Sequence, residues 1–199
     1  MAIKAVIFDF GGVLVRTEDR TPRQELADSL RMTYQELNDL IFESETARRA
    51  TVGEITTQEH WETLRSELGL PVDKFPRVPK EFFGGDVLDK ALIDYIRDLR
   101  PRYKTALLSN AWDDLRGVVI NEWQNADVFD ELIISAEVGV AKPDAGIYEL
   151  TLERLNVAPS EAVFVDDFPR NIAGAQAVGM KAIHFRDSNQ VRAELDRLL

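Results

Sequence analysis

The chain has 199 residues, 45% of them hydrophobic and 30% charged, enough apolar material for one globular domain or a domain carrying a smaller insert. It contains no cysteine, which excludes disulfides, thiolate metal sites and cysteine nucleophiles, and its formal net charge of −11 opposes nonspecific binding to nucleic acid or anionic lipid. No apolar run reaches the roughly 20 residues of a membrane span, and the chain opens directly on a strand instead of a secretory signal, so a soluble, cytoplasmic protein is expected.

Ile3, Ala5, Val6, Ile7 and Phe8 form an apolar, largely β-branched run, the pattern of a strand buried on both faces. The run ends at an acid, Asp9, and Gly11-Gly12 follow at once, where glycine permits a tight turn and close approach of backbone amides to a ligand. From residue 16 the pattern turns helical for about seventy residues. Thr21-Pro22, Thr33 with Glu36, and Thr56 with Glu59 are helix-start signals. Leu26 and Leu30, then Leu37, Leu40 and Ile41, then Trp61, Leu64 and Leu68 supply the apolar faces, and Gly69 closes the last of these helices. Pro71, Pro76 and Pro79 mark a loop. Residues 16–84 are therefore expected to be a small helical cap, mounted on a main domain made of 1–15 and 85–199.

The α/β rhythm returns from Val87. Leu88, Leu92, Tyr95, Ile96 and Leu99 trace a helix, and Lys104–Leu108 a strand that delivers Ser109-Asn110. A helix is expected within Ala111–Trp123, then a strand over Glu131–Ser135, a loop over Glu137–Asp144, and a helix through Tyr148, Leu152 and Leu155. A strand at Ala162–Val165 ends in Asp166-Asp167, Pro169 opens the next helix and Gly179 ends it. A fifth strand spans Lys181–Phe185, and Ser188 is placed as the cap of the final helix. Strands separated by helices imply right-handed crossovers, and so an α/β fold with a doubly wound parallel sheet.

In such a sheet the carboxyl ends of the strands open on one edge, where ligands sit. That edge would gather Asp9, Ser109-Asn110 and Asp166-Asp167, with Lys142 on the loop after the third strand. Acids facing one another raise each other's pKa unless a cation lies between them, and a hard divalent ion such as Mg²⁺ would let them stay ionised. His60 and His184 have no ligand-like spacing, and Arg16, Arg20 and Arg23 read as solvated side chains.

Four segments in order resemble the four motifs of the haloacid dehalogenase-like (HAD) hydrolases: Phe8-Asp9-Phe10-Gly11-Gly12-Val13-Leu14, Leu107-Leu108-Ser109-Asn110, Gly139-Val140-Ala141-Lys142-Pro143-Asp144 and Val163 through Asn171. Together they span nearly the whole chain, and the helical insert after the first is similar to the cap of that superfamily's first subclass. Within it the chain resembles phosphatases acting on α-D-glucose-1-phosphate and the phosphatase domain of soluble epoxide hydrolases. The resemblance implies a Mg²⁺-dependent phosphatase of small phosphorylated metabolites, sugar phosphates among them. It implies Asp9 as nucleophile, forming an aspartyl-phosphate; Ser109, the Asn110 backbone and Gly12 as phosphate contacts; and Lys142 neutralising both nucleophile and phosphate. Asp9, the Gly11 carbonyl, Asp167 and Asp166 would serve the metal, Asp166 by ordering its waters, and Asn171 would support that loop. Neither a nucleic acid nor a membrane partner is implied, and a monomer or a homodimer is compatible with the motifs.

The pattern breaks at Gly11, where most phosphatases of that superfamily carry a second Asp as general acid and base. Losing such help typically costs about 10²–10⁴-fold in rate. Two alternatives follow: a 2-haloacid dehalogenase, in which halide leaves without a proton, and a catalytically weak binding protein on the same scaffold.

Overall fold

The computed structural model describes residues 2–73 and 75–199; Met1, first residue of the expected main domain, and Lys74, inside the expected cap, lie outside them. The strands are β1 (Ala5–Phe8), β2 (Val15–Thr17), β3 (Asp86–Leu88), β4 (Lys104–Ser109), β5 (Glu131–Ile134), β6 (Ala162–Asp166) and β7 (Lys181–His184). Five of them form a parallel sheet in the order β5-β4-β1-β6-β7. The most apolar strand, β1, is central and wholly buried, as its lack of alternation requires. Register places Phe8 beside Leu107 on one side and Val165 on the other, so the residues just past each strand emerge at one edge.

Two apolar layers sandwich the sheet, one around Phe8, Leu92, Ile96 and Leu107, the other around Ile7, Tyr148, Leu152 and Phe164. The helices facing them are α6 (Lys90–Leu99), α9 (Ala145–Leu155), α10 (Pro169–Ala177) and α11 (Ser188–Leu198). The expected α/β doubly wound parallel sheet is the observed one.

A third apolar cluster belongs to α1 (Thr21–Ser29), α2 (Tyr34–Phe42), α3 (Glu45–Thr51), α4 (Thr57–Glu67) and α5 (Arg77–Phe82). The capping boxes Thr33–Glu36 and Thr56–Glu59 are both formed, each reciprocally satisfying free backbone donors of the first turn. Trp112, from beyond β4, completes this cluster. No helix among the described residues is long and apolar enough to cross a membrane.

Several local expectations need correction. Thr21 does not cap α1; Asp19 Oδ1 accepts its amide instead, at 2.8 Å. The proline-marked loop contains α5, because Pro79 sits in its first turns, where an amide is not needed. Leu88 belongs to β3, which pairs antiparallel with β2 across the ends of the helical segment and is too short for its three residues to show a period. Ala111–Trp123 holds only one helical turn, α7 (Leu115–Gly117), and a wider turn at Val118–Glu122, while α8 (Ser135–Val138) stands where loop was expected to begin. Asp187, not Ser188, caps α11. Arg23 is buried, donating to Phe82 O, Asn38 Oδ1 and Asp86 Oδ1 and lying 3.9 Å from the Phe82 ring centroid. Four satisfied guanidinium contacts replace the solvent that was expected around it.

Candidate active site

Asp9 follows β1 and is 5% exposed, so its carboxylate depends on protein partners rather than water. Oδ1 accepts from the Phe10 amide at 2.7 Å and lies 2.7 Å from Lys142 Nζ. The same Nζ lies 2.8 Å from Asp166 Oδ2 and donates to Leu108 O at 2.9 Å. An ammonium has three protons, and all three are directed. Lys142 thus stands between two buried carboxylates, and a phosphate at this edge would feel its charge without receiving one of its hydrogen bonds.

Asn110 explains how a loop lysine is aimed so closely. Its Nδ2 donates to Lys142 O and its Oδ1 accepts from Lys142 N, both at 2.8 Å, a reciprocal amide pair between two strand ends. The phosphate contact expected of Asn110 concerned its backbone, and this use of its side chain was not foreseen. Ser109, the last residue of β4, is buried at the same edge.

Asp166 is fully buried and saturated. Oδ1 accepts from Phe168 N at 2.7 Å and Asn171 Nδ2 at 3.0 Å; Oδ2 accepts from Lys142 Nζ and again from Asn171 Nδ2 at 3.0 Å. Four bonds occupy the roughly four lone-pair sites of a carboxylate. Asp166 therefore anchors Lys142 and the turn into α10, and has little capacity left to order a metal's waters. Asn171 supports the loop as expected, and Tyr148 in turn donates its hydroxyl to Asn171 O at 2.8 Å.

Asp167 is the opposite case. Its Oδ1 is buried with no hydrogen-bond partner among the described residues, although its backbone carbonyl is held 2.9 Å from His184 Nε2. His184, set aside for lack of ligand spacing, reaches the site because β7 pairs with β6 in a register that puts it beside Asp166. Gly12 lies against the Asp167 carboxylate, in the left-handed region at φ +85°, and a Cβ there would overlap that carboxylate. Its amide donates to Val15 O at 2.8 Å, so what requires glycine is this close approach and not, as expected, an amide aimed at phosphate. Gly11 is exposed, and a Cβ there would meet open space.

Oxygens of Asp9, Asp166 and Asp167 all lie within 4.8 Å of one another. Among the described residues three carboxylates face one ammonium, an excess matching the charge of one divalent cation. Burial raises the Asp9 carboxyl to about 7, opposed by Lys142 and assisted by Asp166. Burial likewise raises Asp167, with Asp166 next in effect. The orphaned Asp167 oxygen and these raised acids are what an oxygen-ligated hard cation would resolve, so the residues present fit such an ion.

A family model for haloacid dehalogenase-like hydrolases matches residues 3–179. A sesquiterpene phosphatase of Aspergillus oryzae is 32% identical over 98% of this chain and 96% of its own length. A bifunctional epoxide hydrolase of Sus scrofa is 30% identical over the whole of this chain, which spans only 39% of that protein. Among solved structures, a HAD family enzyme from Bacteroides thetaiotaomicron, in complex with magnesium and inorganic phosphate, superposes with a TM-score of 0.79. It covers 96% of this chain and 99% of its own at 23% identity, which establishes a shared fold.

Proposed function

This chain belongs to the haloacid dehalogenase-like hydrolase family, and on that basis we propose that it is a magnesium-dependent phosphatase of small phosphorylated metabolites, with Asp9 as the group that accepts phosphoryl. The observation that carries this reading is the single ammonium of Lys142 between Asp9 and Asp166, beside an unpartnered carboxylate oxygen on Asp167. A phosphatase relative and a fold shared with a magnesium and phosphate complex support the same choice.

Asp9, Asp167 and the Gly11 carbonyl would hold Mg²⁺, which when bound supplies Lewis-acid neutralisation of phosphoryl charge. The chain's own part begins with Asp9, whose plane is fixed by the Phe10 amide and Lys142. Its carboxylate forms the new P–O bond as the ester P–O bond breaks, and water then attacks phosphorus to release inorganic phosphate and restore Asp9. Lys142 keeps the carboxylate ionised for the first step. Without it, like charges about 4 Å apart would repel by roughly 4 kcal/mol at an effective dielectric near 20. Ser109, at the end of β4, would hold a phosphoryl oxygen. Gly11 offers no proton to the leaving oxygen, so substrates with a good leaving group suit this site.

The dehalogenase alternative needs no cation, and the three clustered carboxylates weigh against it. Phosphate release from a panel of esters, with and without a chelator, tests the proposal. Activity that requires Mg²⁺ and disappears in Asp9→Asn is expected; chelator-insensitive halide release from 2-haloacids would replace it with the dehalogenase reading.

A further inference from the structure

We propose that this site takes organic monophosphates whose alcohol portion is an apolar body, and that Phe42, Phe83 and Trp112 form the wall that receives it. The proposal rests on the phosphatase reading above and names its substrate class. Phe42, at the end of α2, and Phe83, just after α5, remain 39% and 38% exposed while every hydrophobic neighbour in their cluster is more buried. Their ring centroids lie 6.1 Å apart, and Phe42 is 6.0 Å from Trp112. Trp61 continues the surface, 6.5 Å from Phe83 and 5.8 Å from Trp112.

Trp112 ties this aromatic wall to the chemistry. It stands three residues beyond Ser109 on the same strand-end segment, so their Cα atoms are at most about 11 Å apart. The wall is also clamped in place over that edge. Thr57 donates its amide to Asp113 Oδ1 at 3.0 Å and its hydroxyl to the same oxygen at 2.5 Å. Gly53 meets the Ala136 carbonyl at a spacing that leaves no room for a Cβ. A monophosphate seated at Ser109 would thus extend its alcohol portion along aromatic faces. The imidazole of His60 in this cluster cannot address hydroxyls, since Thr46 Oγ1 and Ile41 O already engage both nitrogens, at 2.8 and 3.1 Å. A site built for a polyol would present free donors and acceptors at this place. The wall offers a hydrocarbon alcohol portion more contact than it offers a polyol.

The test uses 4-alkylphenyl phosphates of increasing tail length, which hold the leaving group's acidity constant while the apolar body grows. kcat/KM should rise roughly two- to fourfold per methylene over the first several carbons, the upper figure being what ~0.8 kcal/mol per buried CH₂ gives. Phe42→Ser and, independently, Phe83→Ser should flatten that slope, and glucose-1-phosphate should be turned over less efficiently than the octyl compound. Calorimetry with the matching alkylphosphonates on the Asp9→Asn protein reads the same slope in Kd without any chemistry. A flat series in both measurements overturns the wall, as does a slope that survives both serine variants. Phosphonate binding that lengthens with the tail while no ester is hydrolysed would keep the wall and sink the phosphatase reading instead.

Discussion

Asn110 and Lys142 hold each other by a matched pair of amide hydrogen bonds, each 2.8 Å, across the gap between the end of β4 and a loop thirty-two residues later. The pair fixes the backbone from which the Lys142 side chain reaches Asp9. Asn110→Asp keeps the acceptor for Lys142 N but sets a carboxylate oxygen against Lys142 O. Stability should fall by about 1–3 kcal/mol, the cost of leaving such groups unsatisfied, and kcat should fall more than KM rises. Urea denaturation with phosphate-release kinetics on the same preparation checks both. Unchanged kcat would remove the aiming role from Asn110.

Lys142→Met leaves Asp9 and Asp166 buried and facing one another without a counter-charge. Removing one partner of a buried ion pair costs about 3–5 kcal/mol, and the Asp9 carboxyl, already raised by burial, should move higher still and lose its nucleophilicity at neutral pH. Lys142→Arg should not rescue, because a planar guanidinium cannot send three donors to Leu108 O, Asp9 and Asp166 from one atom. Denaturant midpoints and steady-state rates for the two variants are the measurement.

The adjacent glycines should answer differently to substitution. Gly12→Ala places a Cβ at positive φ and against the Asp167 carboxylate, so about 1–3 kcal/mol of stability and most magnesium affinity should be lost, read by thermal melts and titration calorimetry. Gly11→Ala meets open space and should be close to neutral. Gly11→Asp restores an acid where the leaving oxygen needs a proton, and should raise turnover of alkyl phosphates by about 10²-fold or more. No gain would mean that the proton already has another source.

His60 gives the helical insert a pH dependence of known sign. Burial lowers its pKa below the ordinary value of 6.5, partly offset by the hydrogen bond to Ile41 O. The unfolded chain then binds a proton more readily than the folded one, so the histidine's contribution is present above about pH 6.5 and is lost as pH falls through the lower folded value. Its ring centroid lies 4.6 Å from that of Trp112, so tryptophan fluorescence during mild denaturation reports on this region. The midpoint should decline on acidification in the wild type and decline less in His60→Gln.

Much of the site was legible because Asp9, Ser109 and Asp166 each stand at the end of a buried strand. An uninterrupted apolar run that stops at Asp9, Ser109 or Asp166 announces both the strand and the edge at which its last residue emerges. The insert's helices were legible at Thr33 and Thr56, where capping is a matter of four consecutive residues. It was not legible at Thr21, because Asp19 competes for the same amide, nor at β2 and β3, which are too short to declare a period.

By itself the order of residues determined the parallel α/β architecture, the helical insert and the set of acids and the lysine that meet, since all of these follow from local periodicity and from what a strand end can carry. Only the tertiary structure decided how those groups divide the work. Whether a carboxylate is saturated, as Asp166 is, or orphaned, as Asp167 is, depends on donors brought from Lys142 and Asn171 by packing. Hydrogen bonding is directional and limited to a few lone pairs per atom, so adjacent residues of identical type acquire opposite roles once the chain is folded around them.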